Sequence, residues 1–563
     1  MMARGSVRDV TRALGKPYEL GDRIAKFIPF GSQGFPMTIE QALNIEPQLR
    51  EMYQNESEVK EIIDLAKRIE GCARHISVHA AGVVISPTEL TDYVPLQLEP
   101  NGDKVITQYN MYAVEDTGLL KLDFLGIKNL AVLGNSAKLV KKIHSINIDL
   151  ENLPLDDKKT FDLLAKGETV GIFQLGGSGM TRYLKELKPT NITDIMAMIA
   201  LFRPGPMANI PTYIRRKHGQ EPVTYLDPRL EKILNKTYGV VTYQDDVLLI
   251  AIEIAGYDWN TVDKFRKAIG KKIPEEMAKQ EKVFIEGCQK HGGLPPQKAE
   301  ELWRLFDPFK GYGFNKAHAA SYGKVAYQTA YMKANFPTEF MTAVLTADAG
   351  DTEKIASSIN ECIRMKIPVL PPNINESFGD FTVIKKEIRF GLYTIKNLGA
   401  EIADAIIEER KTNGKFKSFS DFLERIRHKN LNKKSLESLV KAGAMDELGE
   451  RNQLLFNLED ALAYNKEAAK SLQNQNSLFT LMGDNATLPD LKLKETEPAS
   501  QQDKLLWEKE LLGLYISGHP LDKFKDKVAK IKTTVGEAKK LPNSMPVVTV
   551  GMIEEAKKIT TKT

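Results

Sequence analysis

The sequence predicts a multidomain α+β protein that is mostly helical, and three observations carry that expectation. Its 563 residues exceed one core, since a domain takes about 150. Hydrophobic residues make up 42% and charged residues 27%, the proportions of ordinary globular protein, which exclude a largely disordered chain and a membrane protein. Most of the chain places apolar residues at helical spacing, interrupted by a few short β-type runs and by Pro and Gly breaks.

Taken in order, Val7, Val10 and Leu14 fall on one face of an N-terminal amphipathic helix that has no apolar leader core. Helical patterns continue to about residue 78, with Thr38 and Gln41 spaced as a capping box. From Ile76 the texture turns to strands: HISVHAAGVVIS, KVITQYN and GLLKLDFLG. A long helical region follows to about Pro368, punctuated at RPGPMANIP, GGLPP and NFPTEF. FTVIKKEIRFGLYTI reads as strands and introduces helical pieces up to about Leu448. Residues 464–503, rich in Asn, Gln, Ser and Lys, read as a linker, and PVVTV near the end as a strand.

Charge is nearly balanced, 78 Lys and Arg against 74 Asp and Glu, but residues 261–340 hold 14 basic and 9 acidic side chains. A local excess of that kind is where a polyanion would be met. Cys72, Cys288 and Cys362 are too few and too far apart for a disulfide framework or a Cys-rich zinc site, so a reducing cytosol is expected. No apolar run approaches the length of a membrane span.

Several constellations could carry chemistry. Strand alternation in GLLKLDFLG puts Lys121 and Asp123 on one face, which suits a divalent metal with a phosphate, or equally a solvated edge whose Asp caps the next helix. DKFRKAIGKKIPEEM gathers Lys264, Arg266, Lys267, Lys271 and Lys272; such a run is either a phosphate surface or a solvated face. In KGYGFNKAHAASYGKVAYQTAYMKANF, helical steps link Lys316, Ala320, Lys324, Tyr327 and Tyr331, so cations lie beside rings on which a base could stack. His318, one turn before Tyr322, could donate to a phosphate or simply start the helix. His75 and His79 are spaced poorly for zinc in a β-type segment. IKNLGAEIADAIIEER has the form of a helix-hairpin-helix element, in which Lys396, Asn397 and Gly399 would face a DNA phosphate, or of an ordinary αα-hairpin. There, Gly399 is expected to supply the turn, with Asn397 able to adopt the left-handed conformation. QNSLF, with Gln475, Leu478 and Phe479, resembles a peptide that anchors in a partner's apolar pocket.

In sequence order, HAAGVVISPTELTDYVPL, GLLKLDFLGIKNL, IFQLGGSGM, ALFRPGPMANIPTYIRRKHG, FDPFKGYGFNKAHAASYGKVAYQTAYMKANFPTEFMTAVLTAD and LLGLYISGHPL closely resemble the alpha subunits of bacterial DNA polymerase III, the C-family replicative polymerases. LDFLGIKNL looks like the DnaE type. The resemblance implies a nucleotidyltransferase-type palm in which three Asp residues hold two Mg²⁺ ions for transfer of a nucleotide from dNTP to a primer 3′-hydroxyl. Asp123 matches the third of these and Lys121 lies beside it. The first two belong to a P-D-x-D-x-D segment that this sequence does not contain, so the chain alone is expected to be inactive and to be an interior part of a longer polymerase. Arg203, Arg266, Lys267, Lys271, Lys272, Lys316 and His318 would face nucleotide or template-primer, and QNSLF would dock on the ring-shaped sliding clamp. Where the family reads Glu in FQLES-x-GM, this chain has Gly176.

The resemblance thus implies a helical thumb at 1–78, the C-terminal part of the palm at 79–130, helical fingers at 131–390 and a helix-hairpin-helix region at 391–450. A clamp-binding segment and linker would span 451–530, with the start of a truncated OB-fold at 531–563. Partners would be primer-template DNA, dNTPs, the sliding clamp, the clamp loader and other replicase subunits, in the bacterial cytoplasm and away from membranes. The alternative from another class is a noncatalytic DNA-binding and clamp-tethering protein.

Overall fold

The computed structural model describes residues 1–29, 37–100, 102–203, 205–271, 274–307, 313–473 and 490–528, with 530–531, 533, 538, 541 and 545–552. Contacts within the chain divide it into two units, Met1–Gly126 and Ile127–Thr563.

Among the described residues the first unit opens with five helices, Ala3–Ala13, Tyr18–Phe27, Ile39–Ile45, Pro47–Asn55 and Ser57–Ile69. Val7, Val10, Ile24, Ile39, Leu49, Ile62 and Ile63 form their common core, as the apolar spacing requires. The Thr38 hydroxyl accepts from the Gln41 backbone N–H and the Gln41 side chain accepts from that of Thr38, the reciprocal capping box the sequence implies. Short strands follow among the described residues: β1 (Gly82–Ile85), β2 (Leu96–Leu98), β3 (Val105–Thr107) and β4 (Leu120–Asp123). β1 pairs antiparallel with β4, and β2 with β3. The β-type run from Ile76 becomes a strand only at Gly82, because its ladder with β4 begins at Gly82 opposite Asp123. On one side of the β1–β4 ribbon Val83, Ile85, Leu120 and Leu122 are exposed, while Val84 packs on the small core of Val94, Val114 and Leu119.

In the second unit the helix Lys316–Asn335 runs through the cores. Ala319, Ala326, Tyr327 and Ala330 belong to one core, and Met332 to the next. Its small residues permit close packing on the helix Ile192–Leu201: a Cβ on Gly323 would stand 2.7 Å from Met196 Cγ. A third core gathers the rings of Phe265, Phe284, Trp303 and Phe306, with Phe265 stacked on Trp303 at 5.7 Å. Farther on, β5 (Val369–Leu370), β6 (Thr382–Ile384) and β7 (Glu387–Arg389) make a three-stranded sheet in the order β5-β7-β6.

Two sequence expectations are corrected here. The helix Leu458–Gln473 occupies the start of the expected linker, because Ala461 and Tyr464 pack in the core and Asn465 Nδ2 donates to the Leu423 and Ile426 carbonyls. Residues 545–552, expected to hold a strand, are not paired among the described residues; a strand without a partner leaves its backbone groups to water and has no independent stability.

Near the C-terminal end of the Lys316–Asn335 helix, Lys333 is fully buried and forms an ion pair of 2.5 Å with buried Glu361. Its ammonium also donates to the carbonyls of Glu168 and Val170, each at 2.8 Å. Burial lowers the Lys333 pKa. Burial likewise opposes ionisation of Glu361, yet hydrogen bonds from Arg364 and Lys333 outweigh it and hold the carboxyl at about 2, below its ordinary 4.5. Removing one partner of such a pair strands the other charge, so Lys333→Met should lower stability by ~3 to 5 kcal/mol in denaturant unfolding. Because the folded pKa of Glu361 lies below its unfolded value, its contribution is full above about 4.5 and is lost as pH falls toward about 2. Glu361→Gln should remove that part of the acid sensitivity, measured as the change in unfolding midpoint with pH.

Candidate nucleic-acid interface

In the first unit the antiparallel register sets Lys121 opposite Val84 and Asp123 opposite Gly82. Lys121 Nζ donates to Asp123 Oδ1 at 2.6 Å, so the shared face read from alternation is a direct contact. His79 Nδ1 lies 3.8 Å from the same oxygen. Gly82 makes room for both neighbours: a Cβ there would stand 3.0 Å from His79 Nδ1 and 3.1 Å from Lys121 Cε. The Lys121 hydrogen bond holds the Asp123 carboxyl below its ordinary 3.8. Among the described residues no group of three His, Cys, Asp or Glu side chains is placed to hold a metal ion. One carboxylate with an oxygen engaged by Lys121 does not make a site for two Mg²⁺ ions.

In the second unit the cations that the sequence groups around Lys316 are organised by a helix start. The first turn of any helix has N–H groups without intrahelical partners. The His318 N–H donates to its own N-cap, Asn315 Oδ1, at 3.0 Å. The Lys316 N–H donates to Asp245 Oδ2 at 2.8 Å, and the Gln244 N–H donates to the Phe314 carbonyl at 2.9 Å. The start of the helix Gln244–Ala255 therefore clamps residues 314–316 from outside. Asp245 and Gln244 escaped the sequence reading; acidic residues opening a helix at YQDD were a signal for capping, but nothing local pointed to Lys316.

This clamp gathers aromatic and cationic groups. Arg203 Cζ sits 4.4 Å from the Phe314 ring centroid and Lys316 Nζ 5.5 Å from that of Tyr243. The His318 ring is 5.2 Å from Phe314 and 4.0 Å from Tyr322. Desolvation against its surroundings, and then the Arg203 charge, lowers the His318 pKa below 6.5. Both effects disfavour the charged imidazolium, so the ring is better suited to hydrogen bonding than to carrying charge. Phe173 extends the cluster, 5.0 Å from Tyr322.

The expected stacking face along this helix is not there. Tyr327 is buried, its hydroxyl donating to the Pro154 carbonyl and accepting from the Asp157 N–H. Lys324 pairs with Glu151 at 2.5 Å. Of the residues those steps link, Tyr327 is buried while Lys316, Ala320, Lys324 and Tyr331 are half-buried, and spacing does not distinguish a buried position from an exposed one. Arg266 and Lys267 are exposed and both pair with Asp263, at 2.7 and 2.8 Å. Lys271 closes the helix Trp259–Lys271; its side chain and Lys272 lie outside the described residues, as does QNSLF with Gln475, Leu478 and Phe479.

In the hairpin, Ile395 and Leu398 are buried while Lys396, Asn397 and Gly399 are exposed. Asn397 has φ +65° and is the left-handed residue of the turn. Gly399, expected to supply it, has φ −70° and is the N-cap of the helix Ala400–Asn413. Asn tolerates the left-handed region because its short amide can bond locally. Gly399 has no side chain to cap that helix, and Lys396, Gly399 and Ala400 are exposed.

Residues 1–126 match the family described as bacterial DNA polymerase III alpha NTPase domain, and residues 129–292 the bacterial DNA polymerase III alpha subunit finger domain. Residues 366–454 match a helix-hairpin-helix motif. DNA polymerase III subunit alpha of Thermus aquaticus is 43% identical over 99% of this chain and 46% of its own length. The subunit of Escherichia coli K12 is 41% identical over 93% and 46%, and that of Aquifex aeolicus 39% over 100% and 49%. The chain belongs to the family of bacterial DNA polymerase III alpha subunits. It spans about half the length of these relatives.

Two measurements test the geometry. In Lys121→Met the Asp123 carboxyl, relieved of its hydrogen bond, should titrate closer to 3.8 by NMR. Asp245→Ala should cost ~1 kcal/mol, as loss of a helix cap does, while Asp245→Asn, which keeps an acceptor, should recover most of it.

Proposed function

We propose that this chain is the part of a DNA-directed DNA polymerase that holds primer-template DNA and the incoming dNTP. The observation that carries this reading is the clamped helix start, which holds Lys316 over Tyr243 and sets His318 against Phe314, the ring that Arg203 covers, on a helix whose other end is anchored in two cores. Rigidly held cations bind phosphates without an ordering cost at the moment of binding. The exposed hairpin at Lys396, Asn397 and Gly399 adds a backbone-directed phosphate contact suited to duplex DNA.

Template-directed transfer from dNTP to a primer 3′-hydroxyl belongs, in this reading, to a protein of the relatives' full length. Asp123 is one of its carboxylates, with Lys121 beside it; the two Mg²⁺ ions of the expected chemistry need carboxylates additional to those the described residues bring together. The exposed apolar side of the β1–β4 ribbon suits cover by further strands of that protein. QNSLF is the sliding-clamp peptide in this reading, with clamp loader and other replicase subunits as further partners and the bacterial cytoplasm as the compartment. No helix among the described residues is long and apolar enough to cross a membrane.

If Arg203 and Lys316 neutralise phosphates, the double change to Ala should weaken primer-template binding about equally across sequences and flatten the log-log salt dependence by up to about two units. An unchanged slope would mean that these cations form a solvated face. For the clamp, burying Leu478 and Phe479 offers roughly 3 to 6 kcal/mol before ordering costs. The double change Leu478→Ala and Phe479→Ala should abolish clamp binding by calorimetry and leave DNA affinity unaltered.

A further inference from the structure

Gln174 has φ +60°, in the left-handed region that β-carbon sterics make costly for residues other than Gly and Asn. Such a conformation persists only where the surroundings impose it, and it collects at ligand sites. The surroundings here do impose it. Lys333 Nζ bonds the Glu168 and Val170 carbonyls, and the Phe173 N–H donates to Thr329 Oγ1 at 3.2 Å. Gly171, also left-handed, lies where a Cβ would stand 3.2 Å from Val344 and 3.3 Å from Phe340. The Lys316–Asn335 helix, with Phe340 and Val344 of the following helix Pro337–Ala347, thus pins the turn from behind, while Gln174 itself is exposed.

Both flanks of the turn reach the Arg203 cluster. Before Gln174, Phe173 packs on Tyr322, which touches His318. After it, a Cβ on Gly179 would stand 2.9 Å from the ring of Phe202, the residue before Arg203. A carboxamide is the side chain that bonds a base edge or sugar through both a donor and an acceptor.

Building on the proposed function, we infer that Gln174 is a nucleotide-reading residue: its amide contacts the base or sugar of a nucleotide unit whose phosphates meet Arg203 and Lys316. The unit comes either from a DNA strand or from a free deoxynucleoside triphosphate.

The test uses the full chain, with thermal unfolding and two binding arms: labelled primer-template DNA, and dGTP without DNA. Gln174→Gly relieves the backbone and removes the amide. Its unfolding midpoint should hold or rise while affinity falls about three- to tenfold, the worth of a hydrogen bond or two, in the arm that supplies the nucleotide. Gln174→Asn, which tolerates the left-handed backbone and keeps an amide, should stay within about twofold of the original. Loss in either arm or in both supports the inference and names the source. Unchanged binding by Gln174→Gly in both arms, while Arg203→Ala weakens it, overturns the inference and leaves the proposed function standing. If Arg203→Ala has no effect either, both fall.

Discussion

Much of the second unit depends on how one helix, Lys316–Asn335, is held at its two ends. At the C-terminal end the holding group is an ammonium taken wholly out of water. Burying a charge is costly unless every donor it carries finds an acceptor, and Lys333 finds Glu361 and two carbonyls. The pair therefore fixes position more than it adds net stability: the helix can sit only where those acceptors converge. At the N-terminal end Asp245 and Asn315 take two of the donors that any helix start leaves open. Between the two ends, Ala and Gly side chains let neighbouring helices approach closely, so small errors at either end cannot be absorbed in the middle.

From this constraint the candidate interface follows. Arg203 leaves the end of one helix, Phe314 and Lys316 the start of another, and Tyr243 the segment that clamps them. None is adjacent in sequence to all the others. The same long helix fixes the turn at Phe173 through Thr329 and Lys333, so the groups that would meet phosphate and those that would meet a base share one rigid support. Preorganisation of this kind is what a binding surface needs when its ligand is a flexible polyanion.

The chain's helical character, the capping box at Thr38 and the contact between Lys121 and Asp123 were legible in the sequence, because each rests on a local period or on neighbours two or three residues apart. The left-handed Asn397 was legible for the same reason, although pattern alone favours Gly399 for the turn that Asn397 makes. The burial of Tyr327 and the pairing of Lys324 were not legible: a helical stripe of polar aromatics and lysines looks the same whether its rings face solvent or the core, and the Pro154 carbonyl and Glu151 that engage these residues lie far away in sequence. Lys333 was unreadable as a buried charge for the same reason, since Glu361 is 28 positions distant. Long-range partners, not propensities, decided the site.

The most direct measurement is amide hydrogen exchange on the chain with and without primer-template DNA. Amides of residues 327–335 should be slow in both states, since that end is locked by buried Lys333. Those of residues 313–322 and of the segment around Arg203 should gain protection when DNA is added. Fast exchange at 327–335 without DNA, or DNA-dependent protection that bypasses 313–322 and Arg203, would contradict the account.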